Sequence, residues 1–167
     1  MKYLAILLLC LGCSAEYGRS YNLYIDQSFS ADAQTEIEKA ANQWTEKTGV
    51  HFYFDHSPCA QARGEFNICI ANSSAAAIKD VCNGDVLACT HRNQWEGDSF
   101  IYIPKDGKYG PSDPHFTNNV LHELGHALGA EHSRSMDDVM YRNNTDVVKL
   151  SDNDAKQLLV ERNGVAQ

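Results

Sequence analysis

The stretch that decides the fold is HELGHALGAEH, at residues 122–132. On a helix, His122 and His126 are rotated by only ~40° and separated by ~6 Å along the axis, so both imidazoles can reach one ion. His132 would lie ~15 Å beyond His122 on a straight helix, so the chain has to turn back first. Gly129 can provide that turn by adopting a positive φ. Three imidazoles around a fourth, open position predict a catalytic rather than a structural zinc site.

Glu123 directly follows the first of these histidines. It points ~100° around the helix from His122, so we expect it outside the ligand set but within reach of a water molecule in the open position. Zinc lowers the pKa of such a water toward ~7, and a carboxylate can then take its proton and pass it to a leaving amine. The segment therefore predicts amide hydrolysis without a covalent intermediate, with Glu123 as general base. A chance match to the whole pattern is expected at on the order of one in ten million positions, so a functionless pair of surface histidines is the weaker interpretation.

Composition limits the other classes of function. The chain has 167 residues, which is enough for one compact domain with its own core but not for two. It carries 14 basic and 22 acidic residues, and the resulting net charge of −8 argues against nucleic acid as a partner. We interpret the acidic surface as solvated and expect the protein to be a monomer.

The first residues are typical of an export signal. A mainly apolar run at residues 3–11 is too short to cross a bilayer as a stable helix. We therefore predict a signal peptide over residues 1–15 and a single domain over residues 16–167. The tripeptide ending at Cys13 resembles a bacterial lipobox, which favours lipidation there; ordinary cleavage after Ala15 is the alternative. Either outcome predicts a protein that is secreted or held at the cell envelope as an outer-membrane lipoprotein, with the lipid as its only contact with a membrane.

Four cysteines remain in the predicted domain, an even number for a chain exported to an oxidising compartment. Two disulfides are the natural interpretation. Three pairings are possible, and proximity in the sequence favours Cys59–Cys69 with Cys82–Cys89, where Asn83-Gly84 could turn the chain. A cysteine-based zinc site is the alternative, but no pair has the spacing of a zinc ribbon.

Hydrophobic periodicity predicts a helix packed on a small mixed sheet ahead of the histidine segment. Between an N-cap at Ser30 and a stop at Gly49, apolar residues fall on a single helical face. Alternating or β-branched runs predict strands at residues 21–25, 50–55, 66–71, 86–90 and 100–103.

The elements around the histidine segment are predicted from turn and cap residues. Residues 104–116 contain two glycines and three prolines, which indicates a loop, and Thr117 or Asn118 is expected to cap the histidine-bearing helix. Residues 151–154 match a capping box, so a final helix should begin there and end at Gly164.

The histidine segment matches the signature HExxHxxGxxH of the metzincin metallopeptidases, and the chain resembles a small bacterial-type matrixin catalytic domain in particular. Val139-Met140-Tyr141 resembles the Met-turn of that family, with Tyr directly after Met as in matrixins. The resemblance implies that Met140 lies beneath the zinc as an apolar floor. Arg142 departs from the family pattern, because it replaces a proline that is common in matrixins.

The resemblance also implies where a substrate binds. Val86, Leu87 and Ala88 look like the edge strand along which matrixins hold an extended polypeptide, and pairing with such an edge depends little on the sequence of the peptide. The family's pocket for the residue after the cut is expected between the histidine-bearing helix and residues 141–148. Tyr141 is accordingly a predicted substrate-binding residue.

Two departures limit the metals that the resemblance implies. Vertebrate matrixins have a histidine ligand of a second, structural zinc where this chain has Cys89, so we predict one catalytic zinc and no second zinc. The acidic calcium-binding pattern after the last strand is replaced by Pro104-Lys105-Asp106-Gly107, which leaves calcium possible but unsupported.

Together, these resemblances imply an α+β protein with a metzincin-like zincin fold. Its expected parts are a small twisted mixed sheet, a backing helix, an active-site helix and a short C-terminal subdomain that contains the Met-turn and the final helix. The implied function is that of a zinc-dependent metalloendopeptidase. The alternatives are a non-catalytic peptide-binding lipoprotein that retains the metzincin shell and a zinc hydrolase that acts on a wall peptide crosslink.

Overall fold

The computed structural model of the chain describes residues 19–59, 66–82, 87–92, 98–104, 109–143 and 145–162. The predicted signal peptide with Cys13, the turn at Asn83-Gly84, the substrate-binding residue Val86 and the helix stop Gly164 all lie outside these described residues. None of the described helices is long and apolar enough to cross a membrane.

The described residues form five strands and four helices. In chain order they are β1 (Ser20–Ile25), α1 (Ala31–Thr48), β2 (His51–Asp55), β3 (Asn67–Ser73), α2 (Ala75–Cys82), β4 (Cys89–Arg92), β5 (Ser99–Pro104), α3 (Pro114–Leu128) and α4 (Asp152–Arg162).

The five strands form one sheet in the order β2-β1-β3-β5-β4. Neighbouring strands are parallel except for β4, which pairs with β5 in antiparallel orientation and occupies an edge of the sheet. The predicted strand over residues 86–90 is shifted, since β4 begins at Cys89, opposite Tyr102. Continuing that register would place Leu87 opposite Pro104, which has no N–H to donate to the ladder.

The helix α1 has the predicted bounds. Ser30 caps it through its side-chain oxygen, which accepts a hydrogen bond of 3.3 Å from the backbone N–H of Ala33. Gly49 ends it with a φ of 73°, a left-handed conformation that costs glycine little. The helix buries the predicted face, and its Trp44 is fully buried in the core, where the indole N–H donates to the backbone carbonyl of Leu121 at 3.0 Å.

The apolar core lies between the sheet and the two long helices. It contains Ile25, Ile70 and Ile101 from neighbouring strands, together with Ile37 from α1 and Leu124 from α3, all of which are fully buried. Burial of this extent supplies the main driving force for folding. It also fixes the position of α3, which carries the first two histidines of the motif.

Both expected disulfides are present. Cys59 is bonded to Cys69 in β3, and Cys82 at the end of α2 is bonded to Cys89 at the start of β4. The sequence left three pairings open, and proximity selected the correct one. The second bridge attaches the edge strand to the preceding helix just before the strand passes the histidine site.

Candidate metal centre

The helix α3 begins earlier than the sequence predicts. Asp113 is the N-cap, its carboxylate accepting from the backbone N–H of His115 at 2.9 Å, and Pro114 occupies the first helical position. The prediction of a cap at Thr117 or Asn118 is wrong, because a proline in the first turn starts a helix rather than preventing one. The extra turn places Asn118 inside the helix, where only 2% of it is exposed.

The structure brings the three predicted ligands together. His122 and His126 project from successive turns of α3, while His132 approaches from the loop after the helix. Gly129 produces the reversal with a φ of 109°, as the sequence predicts. The Nε2 atom of His126 lies 3.1 Å from that of His122 and 3.2 Å from that of His132.

Hydrogen bonds on the far side of the rings determine which nitrogens face one another. Nδ1 of His122 contacts the carbonyl of Val139 at 2.9 Å, and Nδ1 of His126 contacts the carbonyl of Ala130 at 2.9 Å. A carbonyl only accepts, so both Nδ1 atoms carry the proton and both Nε2 atoms of the neutral rings present lone pairs. Two lone pairs about 3 Å apart repel each other unless a cation lies between them.

These residues fit a zinc ion. Zn–N bonds of about 2.0–2.1 Å in a tetrahedron place neighbouring nitrogens about 3.3 Å apart, close to the separations in this cluster. Burial is the main reason that the pKa of His122 falls to about 4, and the nearby His126 and His132 lower it further. Burial also lowers the pKa of His126. Both imidazoles are therefore neutral at pH 7, which is the form that binds metal.

Glu123 lies in the same cleft with 7% of its surface exposed. Burial raises the pKa of its carboxyl group to about 7, although a hydrogen bond from Thr90 opposes this shift. The Thr90 hydroxyl, on the edge strand β4, lies 2.7 Å from Oε2 of Glu123 and 2.9 Å from the backbone carbonyl of the same residue. One side chain of the sheet thus holds the carboxylate beside the histidines, a contact that nothing in the sequence indicates.

The predicted Met-turn lies directly under the helix. Met140 is fully buried, and a Cβ added to Gly125 would collide with its Sδ atom and lie 2.9 Å from Cζ2 of Trp44. Only glycine allows α3 to approach this closely. A glycine inside a helix lowers the stability of the helix by about 1 kcal/mol relative to alanine. The presence of Gly125 in this helical segment is therefore the feature of the sequence that indicates a close contact.

The Met-turn is held by a buried carboxylate. Asp154 is completely buried and accepts hydrogen bonds from the backbone N–H groups of Val139 at 3.1 Å and Met140 at 3.0 Å. It also completes the predicted capping box, because it accepts from the N–H of Ser151 while the Ser151 hydroxyl accepts from the N–H of Asp154. The sequence indicated the cap but not the contact with the Met-turn.

A cleft of about 520 Å³ lies beside the three imidazoles. Its lining among the described residues consists of Leu87, Ala88, Cys89, Thr90, Asn118, Asn119, His122, Glu123, His126, His132, Arg142 and Asn143. Two of the predicted substrate-binding residues, Leu87 and Ala88, belong to this lining. Tyr141 is not part of this lining; it is half-buried and forms an isolated bridge with Ser133.

Two of the solved structures that resemble the chain show the extent of the similarity. High choriolytic enzyme 1, a hatching enzyme zinc-protease from the medaka fish Oryzias latipes, has 17% identity and a TM-score of 0.47, covering 71% of this chain and 48% of its own. Myroilysin has 16% identity and a TM-score of 0.47, covering 70% of this chain and 50% of its own. The chain thus spans about half the length of these structures. A comparison with curated proteins finds no match.

A family comparison covers much more of the chain. The model described as Matrixin matches residues 20–159, from the start of β1 into α4. This span contains the three histidines, Glu123 and the Met-turn, and it confirms the expected α+β metzincin-like zincin fold. Zinc is the metal and polypeptide the kind of substrate that the family implies. Because the match extends over most of the sequence, the chain belongs to the matrixin family of zinc metalloproteases.

Proposed function

We propose that the protein is a metalloendopeptidase in which His122, His126 and His132 bind one zinc ion and Glu123 is the general base. The observation that carries this proposal is the convergence of three Nε2 atoms within 4.8 Å of one another in the cleft that Glu123 also lines. Zinc bound there supplies a Lewis acid and a water molecule of lowered pKa. Every other part of the proposed reaction comes from the chain itself.

Glu123 takes the proton from the attacking water and hands it to the leaving amine. Burial raises the pKa of Glu123 to about 7 in the metal-free protein. A zinc ion bound beside it would lower this pKa again, which favours the ionised carboxylate that can accept a proton. The neighbouring Thr90 hydroxyl holds Oε2. Within the described residues Oε1 has no hydrogen-bond partner, so it is the oxygen that exchanges the proton.

The substrate is proposed to lie in extended form along the edge of the sheet. The outer side of β4 is not paired with another described strand, and Leu87 and Ala88 precede this strand where it enters the cleft. Backbone groups of an edge strand bind a peptide with little dependence on its sequence. This supports endopeptidase activity on polypeptides.

The test compares zinc content with turnover. Glu123→Ala should retain zinc in a one-to-one ratio and the wild-type unfolding midpoint while hydrolysis of a peptide library falls by roughly a hundred- to ten-thousandfold. Thr90→Val should lower kcat by about tenfold with little change in KM, because it removes a hydrogen bond to a charged group, and Thr90→Ser should restore most of the rate. Binding of library peptides without any cleavage by the wild type would instead favour the non-catalytic alternative.

A further inference from the structure

The cleft beside the histidines has a polar wall on one side. Asn118 and Asn119 lie on α3, about one helical turn before His122 and Glu123, and both are largely buried. Arg142 and Asn143 line the same cleft from the chain that follows the Met-turn. An apolar side chain placed in this part of the cleft would cover the exposed polar groups of Arg142 and Asn143 without compensation, which is unfavourable.

Arg142 supplies a positive charge to this wall. Its side chain is exposed, and it has no hydrogen bond or ion pair with any described residue. Among the described lining residues other than the imidazoles, the only other charged group is Glu123, which is buried and bound to Thr90. The guanidinium is therefore available to a ligand. It is a local positive charge on a protein whose net charge is −8.

The backbone on both sides of Arg142 is held in place. Before it, the N–H of Met140 donates to Asp154 at 3.0 Å. After it, Asn118 bonds the chain through its amide, accepting from the N–H of Thr145 at 3.3 Å and donating to the carbonyl of Val147 at 2.8 Å. Because the backbone is anchored, the entropy lost when the planar fork of Arg142 engages a carboxylate is confined to its side chain.

The neighbouring cavity shows how the two sides of the site differ. It shares Thr90 and His126 with the cleft and is lined by Arg92 and Glu131, whose charges are opposite. A substrate side chain of either sign would meet one attractive and one repulsive group there. Arg142, rather than this neighbouring cavity, is therefore the group that can select substrate side chains by their charge.

We propose that this cleft selects polypeptides with an acidic side chain next to the scissile bond, and that Arg142 binds the carboxylate of that side chain. The inference rests on the proposed endopeptidase function, because the bond to be cut has to lie beside His122 and Glu123, which line the cleft. Asn118, whose amide is already bonded to Thr145 and Val147, contributes by holding the backbone that follows Arg142.

Hydrolysis of matched peptides tests the proposal. The peptides carry Glu, Gln or Lys at one of the two positions that flank the cleaved bond and are otherwise identical. At one of these positions, the Glu peptide should have a kcat/KM roughly three- to tenfold higher than the Gln peptide. Lys should be the poorest. Arg142→Gln should abolish the difference between Glu and Gln, and Arg142→Glu should reverse the order of Glu and Lys. Arg19→Gln removes the same charge at the start of β1, away from the β4 edge, and should leave the preference unchanged.

Binding without turnover separates this inference from the proposed function. With zinc-loaded Glu123→Ala, the Glu peptide should bind roughly three- to tenfold more tightly than the Gln peptide at low salt, and added salt should reduce that ratio. The ratio should vanish when Arg142→Gln is added. Equal cleavage of Glu and Gln peptides, or a preference that survives Arg142→Gln, overturns the inference. If the wild type cuts no peptide, the proposed function fails, and the binding ratio still decides the role of Arg142.

Discussion

The first two histidines of the proposed metal centre and the third are held in place by different kinds of interaction. His122 and His126 belong to α3, whose Leu121 and Leu124 are fully buried in the apolar core. His132 lies in a loop in which the N–H of Ser133 donates to the carbonyl of Met140 at 2.7 Å. Two carboxylates also hold this loop, since the Ser133 hydroxyl donates to Asp138 and the N–H of Met140 donates to Asp154. Apolar packing tolerates many substitutions of similar volume, whereas oriented buried hydrogen bonds have few substitutes. The third ligand should therefore be the most sensitive to single changes.

The largest effect is expected from Asp154→Asn. The amide has nearly the shape of the carboxylate, but its NH2 group would face backbone N–H groups that now donate to both oxygens of Asp154. We expect a loss of about 2–4 kcal/mol in the free energy of unfolding and at least about tenfold weaker zinc binding. Urea unfolding and competition with a chelator would measure the two quantities.

Asp137→Asn is the matched control, because Asp137 is an exposed aspartate in the loop between His132 and Met140. It should leave both the unfolding midpoint and the zinc affinity close to wild type. If the two variants behaved alike, the buried carboxylate would not be what holds the loop, and the contrast between the two parts of the site would be wrong.

The contrast between local signals and distant contacts also explains which features of the fold and the site could be predicted from the sequence. The helix α1 was predicted with its correct ends because its signals are local: a cap at Ser30, a glycine at Gly49 and an apolar stripe between them. The spacing of the histidines likewise has a direct geometric meaning on a helix. Local signals also explain the error at the start of α3, because the glycines and prolines of residues 104–116 favour a loop, whereas Pro114 begins the helix.

The contacts that could not be predicted join residues that are far apart in the sequence. Thr90 contacts Glu123 across 33 positions, and Asn118 contacts Val147 across 29. Nothing around Thr90 distinguishes it from any other strand threonine, since strands favour this residue anyway. Asp154 has a complete local explanation as a helix cap, which conceals its second role under Met140.

Gly125→Ala should have the next largest effect, and it tests the apolar contact between the two parts. Helix propensity alone predicts stabilisation by about 1 kcal/mol. The added methyl group would collide with Met140 and approach Trp44 to 2.9 Å, and such overpacking costs about 1–3 kcal/mol. We therefore expect net destabilisation in a thermal or urea melt.

Gly110→Ala is a suitable control, because a Cβ at that position has no atom within 4 Å. Combining Gly125→Ala with Met140→Ala should give less destabilisation than the sum of the two single changes, since the second change removes the colliding atoms. Additive effects would show that the close approach of the helix to the Met-turn is not the cause.

An effect of about the same size, and the only one with a pH signature, is expected from Asp138→Asn. Asp138 is almost completely buried and accepts hydrogen bonds from Ser151 at 2.7 Å, from Asn153 at 2.6 Å and from the Ser133 hydroxyl. Burial alone would raise the pKa of its carboxyl group, but these three donors outweigh it and lower the pKa below the ordinary value of 3.8. At pH 7 the variant should lose about 1–2 kcal/mol of unfolding free energy.

The sign of the pH dependence follows from that direction. A carboxylate whose pKa is lower in the folded state stabilises the protein above the pKa of the unfolded chain, and this contribution disappears as the pH falls through the folded value. The stability gap between wild type and Asp138→Asn should therefore be constant from pH 7 to about pH 5 and close below pH 3.8. Urea unfolding with a chelator in both samples removes any contribution from zinc release. Asp152→Asn, at an exposed position, should produce little gap at any pH. A gap that widened in acid would mean that burial dominates at Asp138, and that the loop carrying the third histidine is held by something other than these hydrogen bonds.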